Sequence, residues 1–248
     1  MPIRTGAEYV QCLQERHPEV YLRGERIDDV TTYPSLRNGV ATMAKLYDMQ
    51  HDAEFRDDMT YVSPSSGESV GASFIIPKSI GDLEHRHRMM AHWAKASFGM
   101  MGRTPDFLNV SLMAMAQAGD YFAQNRPEFE MNVNNYYEYI RENDLALTHA
   151  LINLQRSRDP SPVTALSEQV ALTLVKETDA GIVVHGSRVL ATLGPISDDI
   201  AIYPVATHRL GDDANLHSFS LSIPCDTPGL KFLCRESLDQ GRSHFDHP

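Results

Sequence analysis

The sequence predicts an α+β protein in which helices come first and strands follow. Three observations carry this. Apolar residues recur at helical spacing, behind recognisable caps, to about residue 145; beyond it they fall into short runs rich in β-branched side chains; and Gly181, Gly186 and Gly194 separate those runs as turns do. The expected organisation is a helical domain over 1–145 and a β domain over 146–248.

Taken in order, Thr5 and Glu8 have the spacing of a capping box, which starts a helix over Gly6 to Glu15 with Tyr9, Val10 and Leu13 on one face. Val20 to Ile27 reads as a hairpin turning at Arg23-Gly24. Pro34 opens a longer helix carrying Leu36, Val40, Met43, Ala44 and Tyr47. Met59 to Pro77 is turn-rich around Pro64-Ser65-Ser66-Gly67. Ser79 with Asp82 then caps a helix whose apolar face is Leu83, Met90, Trp93 and Ala94. From Pro105, Leu108, Leu112, Met115, Ala116 and Tyr121 mark a buried helix that ends at Arg126-Pro127, and Phe129, Val133, Tyr136, Tyr137 and Ile140 mark the next. Thr148-His149 closes a helical pattern. Strand signals follow at Val170 to Val175, Gly181 to Val184, Arg188 to Ala191, Ile200 to Val205, Ser218 to Ile223 and Leu230 to Cys234.

Composition narrows the function. With 248 residues and 42% hydrophobic content the chain can bury a core. A net charge of -11 with no basic stripe argues against nucleic acid, which is bound through clustered Lys and Arg. Cys12, Cys225 and Cys234 form no Cys-x-x-Cys pair, which fits a reducing compartment, and no apolar stretch approaches the length of a membrane span. A soluble, cytoplasmic protein is expected. The Gly-x-Gly-x-x-Gly fingerprint, the Walker lysine, the Gly-x-Ser-x-Gly elbow and the His-Glu-x-x-His pair are all missing. His85, His87 and His92 share a helix with Arg86 and Arg88 and lack a completing carboxylate, so a solvated face outweighs a metal site; His244, Asp246 and His247 are discounted equally.

Two segments stand out. Arg103 follows Gly102 and precedes Thr104-Pro105, a hydroxyl cap and a residue that needs no donor, so it sits at a helix start where the backbone is irregular. His149 precedes a stretch, Asn153 to Arg158, that offers amide and guanidinium donors with little apolar periodicity. Plainer readings exist for both: Arg103 bridging to a surface acid, and His149 set against a helix dipole at a C-terminus.

These segments, with Gly24-Glu25-Arg26-Ile27-Asp28-Asp29-Val30-Thr31-Thr32-Tyr33-Pro34, Met59-Thr60-Tyr61-Val62-Ser63-Pro64, Gly99 to Phe107, Thr148 to Leu151, and Glu177 to Gly186, resemble the reduced-FAD-dependent two-component phenol hydroxylases, the 4-hydroxyphenylacetate 3-monooxygenase oxygenase component family. The resemblance implies an acyl-CoA dehydrogenase-like fold: an N-terminal helical domain, a β-barrel-like domain, and a C-terminal helical bundle missing here. The chain ends at Pro248 without a closing helix and reads as truncated.

By the same resemblance, the activity is ortho-hydroxylation of a phenol such as 4-hydroxyphenylacetate, with reduced FAD (FADH2) and O2, through a flavin C4a-hydroperoxide. Arg103 matches the arginine on the phenolic oxygen and His149 the histidine between substrate and flavin; both are expected to be catalytic and, with Phe107, to bind substrate. His149, Gln155, Arg156, Ser157 and Arg158 match the segments that hold flavin, and Thr192 matches a hydroxyl near the isoalloxazine. The implied partners are a flavin reductase and further copies of the chain, as a dimer or tetramer. Phe107 replaces the family's usual tyrosine, Leu154 a common proline, and Arg156-Ser157 a more usual Val-Asn pair. Two other readings stay open: a 4-hydroxybutyryl-CoA dehydratase or vinylacetyl-CoA isomerase, which needs cysteine ligands that this region lacks, and an inactive truncated fragment.

Overall fold

The computed structural model describes residues 2–99, 106–153, 171–204, 216 and 218–236. Helix α1 (Gly6–Glu15) begins at the expected capping box: Thr5 Oγ1 accepts from the Glu8 amide at 3.1 Å and Glu8 Oε2 from the Thr5 amide at 2.7 Å. Two amides of the first turn, which no helical carbonyl can reach, are thereby satisfied. Strands β1 (Glu19–Leu22) and β2 (Glu25–Ile27) form the hairpin, with Arg23 and Gly24 both at positive φ as a tight primed turn requires. Helix α2 (Arg37–Asp48) starts three positions after Pro34 and buries Val40, Met43, Leu46 and Tyr47. Gly6 lets α1 cross α2 closely, since a Cβ there would lie 2.5 Å from the Ala44 carbonyl oxygen.

The turn-rich region contains more order than its composition suggests. A short helix α3 (Arg56–Met59) leads into a hairpin of β3 (Thr60–Val62) and β4 (Ser69–Gly71). Strands this brief offer too few residues for alternation to register. Helix α4 (Ile80–Ala96) has its Ser79/Asp82 capping box, but it buries Met89 and Trp93 while Leu83 and Met90 stand 49% and 41% exposed. The expected face was turned by roughly a quarter of the helix circumference. Trp93 fixes it, donating its indole N–H to the Leu46 carbonyl at 3.2 Å.

Where one helix is expected to run to Arg126, the chain makes two, α5 (Asp106–Gln117) and α6 (Gly119–Ala123), leaving Tyr121 exposed. Helix α7 (Glu128–Glu142) then packs Tyr137 and Ile140 against Leu108, Leu112, Met113 and Ala116 of α5.

After α7, Asp144 reverses the chain at φ +48, and β5 (Leu147–Ala150) and β6 (Ile152–Asn153) follow. The helical pattern expected to close at Thr148-His149 is therefore a strand. Its pairing partner lies some fifty residues later, outside the reach of any local pattern. The remaining strands are β7 (Thr173–Thr178), β8 (Gly181–His185), β9 (Arg188–Val189), β10 (Asp199–Ile202), β11 (Leu221–Pro224) and β12 (Lys231–Cys234). They build three-stranded sheets ordered β12-β1-β2 and β11-β10-β5, with two-stranded β3-β4, β6-β9 and β7-β8. Among the described residues the structure is a mixture of helices and sheets, and none of these sheets closes. No helix among them is long and apolar enough to cross a membrane.

Strand β1 runs parallel to β12, pairing Glu19 with Lys231 through Leu22 with Cys234. Strand β5 runs parallel to β10, and every residue of both is buried. Strand alternation sorts them: Leu147 and Ala201 join the α5/α7 core, whereas Ala150, Ile200 and Ile202 join the larger core built on α1 and α2. His149, opposite Ala201 in register, lies on the α5 side.

Candidate active site

The site grows from that face of the sheet. His149 is 5% exposed, and its ring lies 5.3 Å from that of Phe107, the second residue of α5, at an interplanar angle of 32°. On another side the ring of Tyr203, just past the end of β10, meets His149 edge-on with centroids 6.3 Å apart. The Tyr203 hydroxyl is 3.1 Å from Ser111 Oγ, and Ser111 stands four residues after Phe107 on α5. Burial pushes the Tyr203 phenol up, against a smaller downward pull from Ser111, so it is a neutral hydroxyl at physiological pH. The result is a histidine held between two aromatic rings, with a hydroxyl pair at one end and half-exposed Phe107 at the other.

Phe107 and His149 are thus brought together. Thr192 is different: its side chain is exposed, and its carbonyl accepts from Thr148 Oγ1 at 2.5 Å. Thr148 points to the opposite face of the strand from His149, so this bond ties the turn at 192 to the back of the site. Arg103, Gln155, Arg156, Ser157 and Arg158 lie outside the described residues, as do His244, Asp246 and His247. Of the other histidines weighed, His92 Nε2 is 2.9 Å from Asp58 Oδ2, beside Arg88 Nε at 2.8 Å from Oδ1.

Sequence reasoning missed Tyr203, Ser111 and Arg188. The period-two offset of Tyr203 from Ala201 could have placed it on the inner face of β10. Arg188, on β9, pairs in register with Asn153 of β6 and donates from Nη1 to the Leu151 carbonyl at 3.3 Å, while its Nε and Nη2 are buried with no partner among the described residues.

Behind the site a buried charged knot sets where β5 begins. Asp198, fully buried, accepts from Arg4 Nη1 at 3.3 Å and Nη2 at 2.6 Å and from the Ala146 amide at 2.7 Å. Its own amide donates back to the Ala146 carbonyl at 2.7 Å, and its carbonyl accepts from Arg16 Nη1 at 2.8 Å. Arg4 also donates to Tyr47 Oη at 3.0 Å and, from its backbone, to Asp144 Oδ2 at 3.1 Å. Burial drives the Asp144 carboxyl above its ordinary range, against the pull of Arg4 and Gln50. The chain ahead of α1 and the residue ahead of β5 therefore meet on one carboxylate that immediately precedes β10.

The profile of the family described as 4-hydroxyphenylacetate 3-hydroxylase N terminal matches residues 5–248. The chain belongs to this family. A 4-hydroxyphenylacetate 3-monooxygenase oxygenase component from Geobacillus sp. (strain PA-9) is 44% identical over 252 residues, which cover 100% of this chain and 50% of the relative. A crystal structure of the oxygenase component (HpaB) of 4-hydroxyphenylacetate 3-monooxygenase, complexed with FAD and 4-hydroxyphenylacetate, matches with 43% identity and a TM-score of 0.87 over 97% of this chain and 48% of its own. The chain thus spans about half the length of the relatives it matches. An oxygen-tolerant archaeal 4-hydroxybutyryl-CoA dehydratase from N. maritimus, at 19% identity and a TM-score of 0.81 over 98% of this chain and 48% of its own, shares the fold alone.

Proposed function

We propose that this chain forms the N-terminal part of a reduced-FAD-dependent monooxygenase that hydroxylates a phenol, such as 4-hydroxyphenylacetate, ortho to its hydroxyl. The observation that carries the reading is His149, buried between Phe107 and Tyr203 beside the start of α5, in a chain whose family match runs from residue 5 to its end. Residues 1–145 act as the helical domain and 146–248 as the β domain of an acyl-CoA dehydrogenase-like fold. The enzyme works in the cytoplasm as a homo-oligomer, dimer or tetramer, and a separate flavin reductase supplies its reduced cofactor.

The residues present suit a flavin and a phenol. Aromatic walls accept planar rings by stacking, and the unpartnered nitrogens of Arg188 call for an anion such as a flavin phosphate. When bound, reduced FAD with O2 supplies an electrophilic oxygen atom, the second oxygen leaving as water. Arg103 holds the phenolic oxygen and favours its phenolate form, which raises electron density at the ortho carbon. His149 donates to the same oxygen and spaces the substrate from the flavin, which Gln155, Arg156, Ser157, Arg158 and Thr192 contact together with His149. Burial of His149 within the sheet keeps water from the reacting atoms.

The direct test supplies the full-length protein with chemically reduced FAD, a panel of phenols and then oxygen. A catechol formed in step with flavin oxidation is expected; flavin oxidation yielding only hydrogen peroxide with every phenol would overturn the reading. The same assay reads a substitution. Phe107→Tyr places a hydroxyl beside His149, and phenol binding is expected to tighten about fivefold to tenfold, the worth of one hydrogen bond. Unchanged or weaker affinity would mean that Phe107 does not line the phenol pocket.

A further inference from the structure

Among the described residues Arg188 has no counter-ion, and its Nε and Nη2 have no hydrogen-bond partner. Burial lowers the pKa of its guanidinium. Leaving charged donors desolvated and unbonded is among the more costly arrangements a fold can hold. A structure keeps such a group when something outside the polypeptide completes it.

The geometry says what that something is. Nη1 is already bonded to the Leu151 carbonyl. The two atoms left over, Nε and Nη2, form one edge of the planar guanidinium, the edge whose parallel N–H bonds match two oxygens of a single phosphate or carboxylate. The position is equally specific. The anchoring carbonyl belongs to the second residue after His149, and β9, which bears Arg188, pairs with β6 at Asn153, the residue that leads into 155–158. A ligand whose rings lie against His149 and whose tail follows β6 would bring an anionic group to this edge.

We propose that Arg188 is the anchor for the diphosphate of FAD, gripping a phosphate through Nε and Nη2. The assignment rests on the flavin reading above and extends it to the non-reacting end of the cofactor. It makes the site selective for the dinucleotide over riboflavin, which offers the same rings and no anion. It also explains an arginine, fixed by a backbone carbonyl, in a two-stranded sheet that contributes little apolar surface: pre-positioning the fork reduces what phosphate binding must order.

The experiment compares the full-length enzyme with Arg188→Gln and Arg188→Lys, titrating FAD and riboflavin by flavin fluorescence at two salt concentrations. FAD affinity is expected to fall about 10- to 100-fold in Arg188→Gln, in line with a charge-assisted pair, and its salt dependence to weaken. Riboflavin affinity is expected to change less than about twofold, because only the phosphate contact is gone. Arg188→Lys, which keeps the charge and loses the fork, is expected to fall between. Thermal unfolding supplies an independent readout: without flavin, Arg188→Gln melts at or above the wild-type temperature, since a desolvated charge has been removed, and the stabilisation by added FAD is largely lost.

Equal FAD affinity in variant and wild type would overturn the anchor while leaving the flavin reading intact. A marked fall in the melting temperature of flavin-free Arg188→Gln would overturn it too, by pointing to a carboxylate of the polypeptide as the partner. A wild-type enzyme that binds no flavin would overturn both.

Discussion

Replacing Asp198 with asparagine is expected to destabilise the protein by about 3–5 kcal/mol, a fall in Tm of roughly 10 °C. Asp198 has no solvent contact, and its carboxylate is the acceptor for both terminal nitrogens of Arg4. Asparagine keeps the shape but removes the charge, leaving Arg4 buried against the Tyr9 and Tyr47 rings without the carboxylate its guanidinium bonds. Its amide also cannot accept from Arg4 and the Ala146 N–H at every oxygen that now does so. The effect should not stop at stability. The Ala146 contacts set the start of β5 against β10, so the packing around His149, three residues on, should loosen with them. The complementary variant Arg4→Met/Asp198→Leu, which removes both charges, is expected to lose less than the single change. A Tm within about 2 °C of wild type for Asp198→Asn, a shift below 1 kcal/mol for a chain of this size, would show that the knot is not holding the strands.

The second large effect concerns chemistry. His149→Phe retains a ring between Phe107 and Tyr203 but removes both ring nitrogens, so a packing role would survive the change while a hydrogen-bonding role would not. Hydroxylation by the full-length enzyme is expected to fall by about 100-fold or more, the scale of losing a positioned proton donor or acceptor. Flavin should still be oxidised, with hydrogen peroxide replacing catechol as the product. A near-conservative exchange of one planar ring for another is expected to cost less than about 1.5 kcal/mol of stability. Measuring catechol formed per flavin oxidised, beside Tm, separates the two roles: turnover within a few-fold of wild type would make His149 a packing residue only.

What could be read from the chain divides by the range of the interaction. The capping boxes at Thr5/Glu8 and Ser79/Asp82 and the turn at Arg23-Gly24 involve residues within three positions of one another, and each forms as expected. Helix existence was legible, yet the buried face of α4 was not, because Leu83 and Met90 are as apolar as Met89 and only the carbonyl of Leu46 selects the Trp93 side. His149 was legible as a residue of interest through the family motif but not as a strand residue. Nothing between Leu145 and Leu151 announces that β10 will lie alongside.

The sequence by itself determined the capping boxes of α1 and α4, the turn at Arg23-Gly24, and the family motifs that single out Arg103, Phe107 and His149. These are local properties, decided by backbone geometry and short-range hydrogen bonds. Only the tertiary structure decided that Phe107 and Tyr203 converge on His149 with Ser111 on the Tyr203 hydroxyl, that Asp198 ties the start of β5 to β10 while holding Arg4, and that Arg188 keeps one edge of its guanidinium unbonded among the described residues. Those facts depend on contacts between segments up to 194 residues apart. A side chain's chemistry is written in its identity, but its partners follow from burial, which arises when distant segments share one core.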